Sequence, residues 1–271
     1  MSENKVGCLK STLIGCGLAV LAAIAVPVIL AVMVVMPLNR AVADRQVIEQ
    51  RFGAQEDYVP PASGLLDTAR VEAFIDIQHA LLDVCEDMRA AEASVAEMEA
   101  IDDQEEINRL EVMKLAWKTT RNMVGMGSVI GHLYESRNRE LLEAEMGLGE
   151  FTYLFVTAYN RQLHEPPPKF QLFGPGPVNS RVRGALRSML RNQLEALGTT
   201  EADDDRRSAL VGEINRLEGD ESRLPWQDGL PEDLAAVYAP FRTRLDELYC
   251  PAAAPLLLMV NEKRGLAIEG H

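Results

Sequence analysis

Residues 104–145 read QEEINRLEVMKLAWKTTRNMVGMGSVIGHLYESRNRELLEAE. Ile107, Leu110, Met113, Trp117, Val124, Gly127, Gly131, Tyr134 and Leu141 recur at steps of three and four, which places them on one face of an α-helix. Met123, Met126, Ile130 and Leu133 form a second stripe beside the first, so the middle of this helix is apolar over most of its circumference and is expected to pack on two sides. Gly127 and Gly131 stand four apart, and a helical glycine costs about 1 kcal/mol relative to alanine. That cost makes sense where a second backbone comes close.

Working upstream, residues 68–100 carry a matching pattern in Val71, Phe74, Ile75, Leu81, Leu82, Cys85, Met88, Val95 and Met98, with Asp67 or Thr68 available as the cap. Between the two lies IDDQEEIN (101–108), an acidic turn whose carboxylates favour the positive end of the next helix. Two long amphipathic helices with a short turn predict an antiparallel hairpin as the spine of the domain.

Working downstream, GLGEFTYLFVTAYNRQL (147–163) has no charge from Phe151 to Asn160. Its Thr, Tyr, Phe and Val content would suit a buried strand, but no partner strand lies nearby, so a central helix is expected. EPPPKFQLFGPGPVNS (165–180) must be irregular, with Phe170 and Phe173 packing it onto the body. Further helices are expected over 182–197, 201–219 and 230–249, the last broken near Pro240. The apolar run from Leu256 to Val260 needs cover. Internal repeats and strand alternation are absent from the sequence. The expected fold is all-α: a single N-terminal transmembrane helix followed by a helical bundle domain built on the hairpin.

The transmembrane element comes from the uncharged run between Lys10 and Arg40. A spanning helix needs about 20 apolar residues, and this run exceeds that, with Pro27 tolerable inside a membrane. Leu13-Ile14-Gly15-Cys16 fits a lipobox, but its cysteine precedes the apolar run instead of closing it. Ala41-Val42-Ala43 resembles a signal-peptidase site, yet a cleavable signal has an apolar core of about 7–15 residues. An anchor is the expectation: a tail over 1–10, a span over 11–38, a juxtamembrane helix and linker over 39–66, and a helical domain over 67–271. Basic residues flank both ends of the span, and a short leading tail usually stays cytoplasmic, which puts the domain outside the cytoplasm at the cell membrane.

The 271 residues carry a formal net charge of −14, with 47% apolar and 25% charged residues, a globular mixture that argues against a nucleic-acid binder. Phosphate loops, dinucleotide fingerprints, H-E-x-x-H and G-x-S-x-G motifs are absent from it. Ser128, His132, Glu135 and Arg139 make a narrow polar stripe on the second long helix, and Asp76, His79, Asp83 and Asp87 an acidic line on the first. Facing helices hold di-metal sites with Glu-x-x-His pairs, but here stand Asp76-x-x-His79 and a reversed His132-x-x-Glu135. The expectation is a hydrogen-bonded structural network or else a solvated face, without metal or cofactor. Arg183, Arg187 and Arg191 share a helix face suited to anionic lipid headgroups or an acidic partner. Cys85 and Cys250 can bridge in an oxidising compartment.

Three functions fit. The first is a membrane-anchored, extracytoplasmic binding or scaffold domain, an adaptor or subunit of an envelope complex with a protein partner. The second is a binder of lipid or another apolar small molecule, suggested by residues 123–133 and 151–159. The third is a metal-dependent enzyme using the histidine and carboxylate lines. For the anchor, sequencing the membrane-extracted protein should find residues upstream of Asp44; a chain starting at Asp44 would mean a cleaved signal.

Overall fold

α5 (Leu148–Ala158) is buried at every residue except Glu150. The computed structural model describes residues 36–102, 109–163, 180–220 and 223–258. In chain order the remaining helices are α1 (Met36–Phe52), α2 (Thr68–Ala80), α3 (Leu82–Asp102), α4 (Arg109–Glu143), α6 (Asn160–Leu163), α7 (Ser180–Glu195), α8 (Glu201–Gly219), α9 (Glu232–Tyr238), α10 (Arg242–Leu248) and α11 (Ala254–Leu257). Short 3-10 turns cover Gln55–Asp57 and Ala239–Phe241. The described residues contain no strand, and the fold is all-α. The 1–10 tail, residues 11–35 of the expected span, the acidic turn at 103–108, the Pro-rich segment with Phe170 and Phe173, and Met259 and Val260 of the C-terminal apolar run lie outside the described residues. Among the described residues, no helix is long and apolar enough to cross a membrane.

The stretch predicted as one helix over 68–100 is two. The Leu81 N–H is shared between the carbonyls of Ile77 and Gln78, each at 3.2 Å, and this shared bond tightens one turn between α2 and α3. Asp67 caps α2 by accepting from the Ala69 N–H at 2.9 Å. α2 and α3 both pack along α4. The six intervening residues, 103–108, reach about 25 Å at most. A parallel return along α3 would need about 30 Å, so α3 and α4 run antiparallel.

A third helix lies on α4 that the periodicity did not place there. α1 packs along it, with Pro37 beside Gly131, Ala41 beside Asn138, Arg40 beside Glu135 and Arg51 beside Glu145. Both sets of numbers rise together, so α1 runs parallel to the second half of α4. Pro37, Ala41 and Ile48 form the buried face of α1. A Cβ on Gly131 would stand 2.8 Å from the Pro37 Cβ and 3.7 Å from the Leu38 nitrogen, so the glycine is what lets the two backbones meet.

α4 ends in a Schellman motif. Glu145 takes the left-handed conformation (φ 50°), the Met146 N–H reaches the Leu141 carbonyl at 2.8 Å, and the fully buried Met146 and Leu141 side chains flank the turn. Arg70 then joins three helix ends. Its guanidinium grips Glu150 of α5 bidentately (2.6 and 2.7 Å) and donates to the carbonyls of Ala144 and Glu145 at 3.1 and 3.2 Å. A cation thus meets the carbonyl end of α4 and an anion the amide end of α5, each where the helix dipole favours it. The Glu150 bond raises the Arg70 pKa above its ordinary value, against a smaller opposing effect of burial.

Inside, Phe74 of α2 meets Phe151, Phe155 and Tyr159 of the α5 segment with ring centroids 5.6, 6.3 and 6.0 Å apart. Gly149 admits the chain at Gln55 and Tyr58 against α5, where a Cβ would overlap both. Cys85 of α3 is disulfide-bonded to Cys250, with Cα atoms 6.1 Å apart, which ties the C-terminal segment to α3.

Two glycines of α4 should respond with opposite signs. Gly131→Val should lower the unfolding free energy by about 1–3 kcal/mol through overpacking against Pro37. Gly125→Ala, with nothing within 4 Å of the added carbon, should raise it by up to about 1 kcal/mol through helix propensity. Urea unfolding of the two variants measures both.

Candidate functional site

A recess with both apolar walls and buried polar groups forms where the chain turns after α8. α8 starts with a capping box in which Thr200 and Asp203 bond each other's backbone. The Thr200 bonds hold the exposed Asp203 carboxyl below its usual pKa. At the other end, Glu213 is buried to 1% exposure and gathers two groups from the returning chain and one from its own helix. Its carboxylate accepts from the Trp226 backbone N–H at 2.8 Å and Arg216 at 2.9 Å, and Arg223 approaches to 3.6 Å. Asn160 donates to the Trp226 carbonyl at 2.9 Å, and so does the Gly229 N–H at 2.9 Å.

These bonds hold Trp226 at φ 59°, in the left-handed region. A non-glycine residue there costs on the order of 1–3 kcal/mol and persists only when its surroundings over-determine it. Its indole, 7% exposed, closes one side of a cavity of about 230 Å3. Tyr153 of α5, Leu210 of α8 and Leu234 of α9 supply apolar wall, and Gln193 of α7 supplies a buried amide. Burial, helped by Tyr58 and Asp233, raises the Tyr153 pKa, so its phenol stays neutral at physiological pH. At the rim, Arg206 and Asp233 pair at 2.7 Å, Gly64 (φ 69°) lets the chain pass over Arg206, and Asp205 adds exposed negative charge.

Two polar atoms of the lining side chains have no hydrogen-bond partner: Trp226 Nε1 and Gln193 Oε1. The Gln193 Nε2 donates to the Pro61 carbonyl at 2.9 Å. A carbonyl only accepts, so the amide orientation is forced and the acceptor oxygen is the atom left over.

The histidine and carboxylate lines are not brought into one cluster. His132 has a side chain 60% exposed, its Nδ1 4.0 Å from Glu135, which also meets Arg40. Arg139 bonds Glu140 next to it, Asp76 lies 3.9 Å from Arg244, and His79 and Asp83 are exposed. Ser128 is half-buried. Of the two expected readings, buried network and solvated face, the exposure of His132 fits the solvated face and not the network. Among the described residues, no group of three His, Cys, Asp or Glu could hold a metal ion. Along α7, Arg191 pairs with Glu218 of α8, while Arg183 and Arg187 are half-buried and the Arg183 Nε is buried without a hydrogen bond.

The buried polar pair of α4 is Arg137 and Asn138 instead. Asn138 donates to the Ala41 carbonyl at 2.8 Å, and its Oδ1 accepts from Arg137 at 2.9 and 3.1 Å. Arg137 also donates to the Leu257 carbonyl at 3.4 Å and sits 5.0 Å from the Tyr134 ring centroid. Burial lowers its pKa to about 10, which leaves it charged at neutral pH. A sequence signal for both existed. Asn138 is the polar member of the stripe between Tyr134 and Leu141, and Arg137 lies four beyond Leu133 on the second stripe.

His132→Ala should leave stability within about 0.5 kcal/mol of the wild type. Asn138→Ala should lower it by about 1–3 kcal/mol, since the Ala41 carbonyl and Arg137 lose their partner; chemical unfolding of both variants checks the contrast. Compared with known protein families, curated proteins and solved structures, the chain finds no match.

Proposed function

We propose that the chain is a single-pass, membrane-anchored helical domain held outside the cytoplasm, which acts by binding, as an adaptor or subunit of an envelope complex. The observation that carries this reading is the seating of α1. The helix that follows the uncharged run is built into the body through Pro37 on Gly131, Ala41 on Asn138 and the buried Ile48. Movement or force on the anchor is therefore transmitted to the whole domain, which suits a subunit that must be oriented at a membrane. Cleavage after Ala43 would cut through α1 and remove Pro37 and Ala41 from their partners, which favours an anchor over a cleaved signal. Met36, Leu38 and Val42 expose apolar side chains at the start of α1, where a membrane surface would cover them. The Cys85–Cys250 disulfide suits an oxidising compartment.

The second reading, small-molecule binding, is favoured by the Trp226 cavity, to which the aromatic run at 151–159 contributes Tyr153. The other rings of the run pack among themselves; Phe155 and Tyr159, for instance, stack edge-on at 4.9 Å.

Purification from membranes in mild detergent should recover the domain with a reproducible protein partner and an intact disulfide. A partner-free monomer, or free thiols at Cys85 and Cys250 in protein taken from its native membrane, would contradict the proposal. Reduction of the bridge should lower stability by about 2–5 kcal/mol, because it releases a long closed loop. Thermal unfolding with and without reductant measures this.

A further inference from the structure

We propose that α1 lies flat in the surface layer of the membrane, its exposed face against lipid, so that the α3–α4 hairpin and the body extend along the bilayer. This deepens the anchored reading above and rests on it. The first observation that carries it is the composition of the exposed face of α1. The chain has a formal net charge of −14, yet no carboxylate is exposed on this helix. Its two acidic residues, Asp44 and Glu49, are half-buried, and Glu49 pairs with Arg45 at 2.7 Å. Met36, Leu38, Val42 and Val47 are exposed instead, among the uncharged amides of Asn39, Gln46 and Gln50. Among the described residues only Val59, Leu65 and Val211 expose other large apolar side chains, so the exposed apolar surface is concentrated on one helix. Arg40 and Arg51 border the face, and each reaches a carboxylate of α4, Glu135 and Glu145. An apolar face edged by arginines is the pattern of a helix lying in the membrane interface. Because those arginines are already paired, the contact rests on apolar burial and needs no anionic headgroup.

The second observation is one of lengths. α1 starts beside Gly131, and α4 continues past that point to Arg109, roughly 33 Å of helix. In the opposite direction the 17 residues of α1 reach about 25 Å. A span takes about 20 of the uncharged residues between Lys10 and Met36, which leaves about five before α1. Five residues reach about 17 Å at most. An upright α1 therefore drives charge into the hydrocarbon whichever way it points. With its first turn toward the bilayer, the beginning of α4 would enter, where the sequence carries Arg109, Glu111 and Lys114. With its last turn toward the bilayer, Arg51 and its partner Glu145 would enter. Lying along the surface avoids both, and it is the orientation that puts the carboxylate-free face of α1 against lipid.

The test places one spin label at a time on the full chain, at Met36→Cys, Ala43→Cys or Val47→Cys, in phosphatidylcholine nanodiscs. These exposed positions fall on one line of the helix. Cys8→Ser and Cys16→Ser leave the introduced thiol as the one that reacts, since Cys85 and Cys250 are bridged. Depth is read from collision rates with oxygen, which concentrates in the bilayer, and with a water-soluble nickel chelate. All three labels should report one depth, about 5–10 Å into the interface, unchanged when phosphatidylserine is added. An upright helix would instead spread them over about 16 Å, with the label at 47 in water. That gradient, or three labels in water, would overturn the flat arrangement and leave the anchor standing. Labels shielded from both reagents and dipole-coupled between molecules would give the face to a second copy and overturn it equally. Failure of the chain to stay in nanodiscs would contradict the anchored reading itself, and the proposal with it. Melting curves show which labelled variants fold, and Gln50→Cys on the same exposed face replaces any that does not.

Discussion

A helix removed from water on all sides must have its polar groups answered by the protein, and α5 imposes that constraint on everything around it. Its one unburied residue, Glu150, is the one that needs a charge partner, and Arg70 supplies it while also closing the end of α4. Thr152 accepts from Gln55, and Thr157 bonds both the Tyr153 carbonyl and the Tyr238 hydroxyl. Each of these contacts fixes a different segment: the turn after α1, the start of α2 and the end of α9. The missing side chain at Gly149 is equally necessary, since it lets the Gln55–Tyr58 turn reach the helix. The apolar remainder, led by Phe151 and Phe155 around Phe74, provides the driving force, at about 1.5–3 kcal/mol for each large side chain buried.

The second constraint is electrostatic. Arg137 is buried with its charge retained, a costly arrangement offset by Asn138, the Leu257 carbonyl and the Tyr134 ring face. The pair draws three distant parts of the chain to one point: α1 through Ala41, α4 itself, and α11 through Leu257. The disulfide adds a covalent tie between α3 and the same C-terminal region. These ties leave α1 little freedom relative to the body, and the membrane reading depends on that.

Helical periodicity made most of the elements legible. The capped start of α2, the span of α8 and the break at Pro240 follow from local rules that act within a few residues. That more than one helix packs on α4 was also readable, although the side chains of Met123, Val124 and Met126 in its apolar middle lie outside the described residues. The sequence did not say which helix covers which stripe. α1 looked polar and juxtamembrane because only three of its residues, Pro37, Ala41 and Ile48, are buried. Whether the polar stripe was a buried network or a solvated face was not legible: a histidine on an apolar helix draws attention, yet His132 is exposed while Asn138, chemically plainer, is the buried one. The cavity lay beyond any periodic signal. It depends on a left-handed tryptophan, and tryptophan is a residue for which no propensity rule predicts that conformation.

The central claim is that α1 is part of the folded body and not a tether between membrane and domain. Native-state hydrogen exchange on the full chain in detergent tests it directly. The account predicts that backbone amides from Ala41 to Phe52 exchange at rates close to those of α5, opening only with global unfolding. Exchange of α1 that is fast while α5 stays protected would show a tether, and would contradict the account.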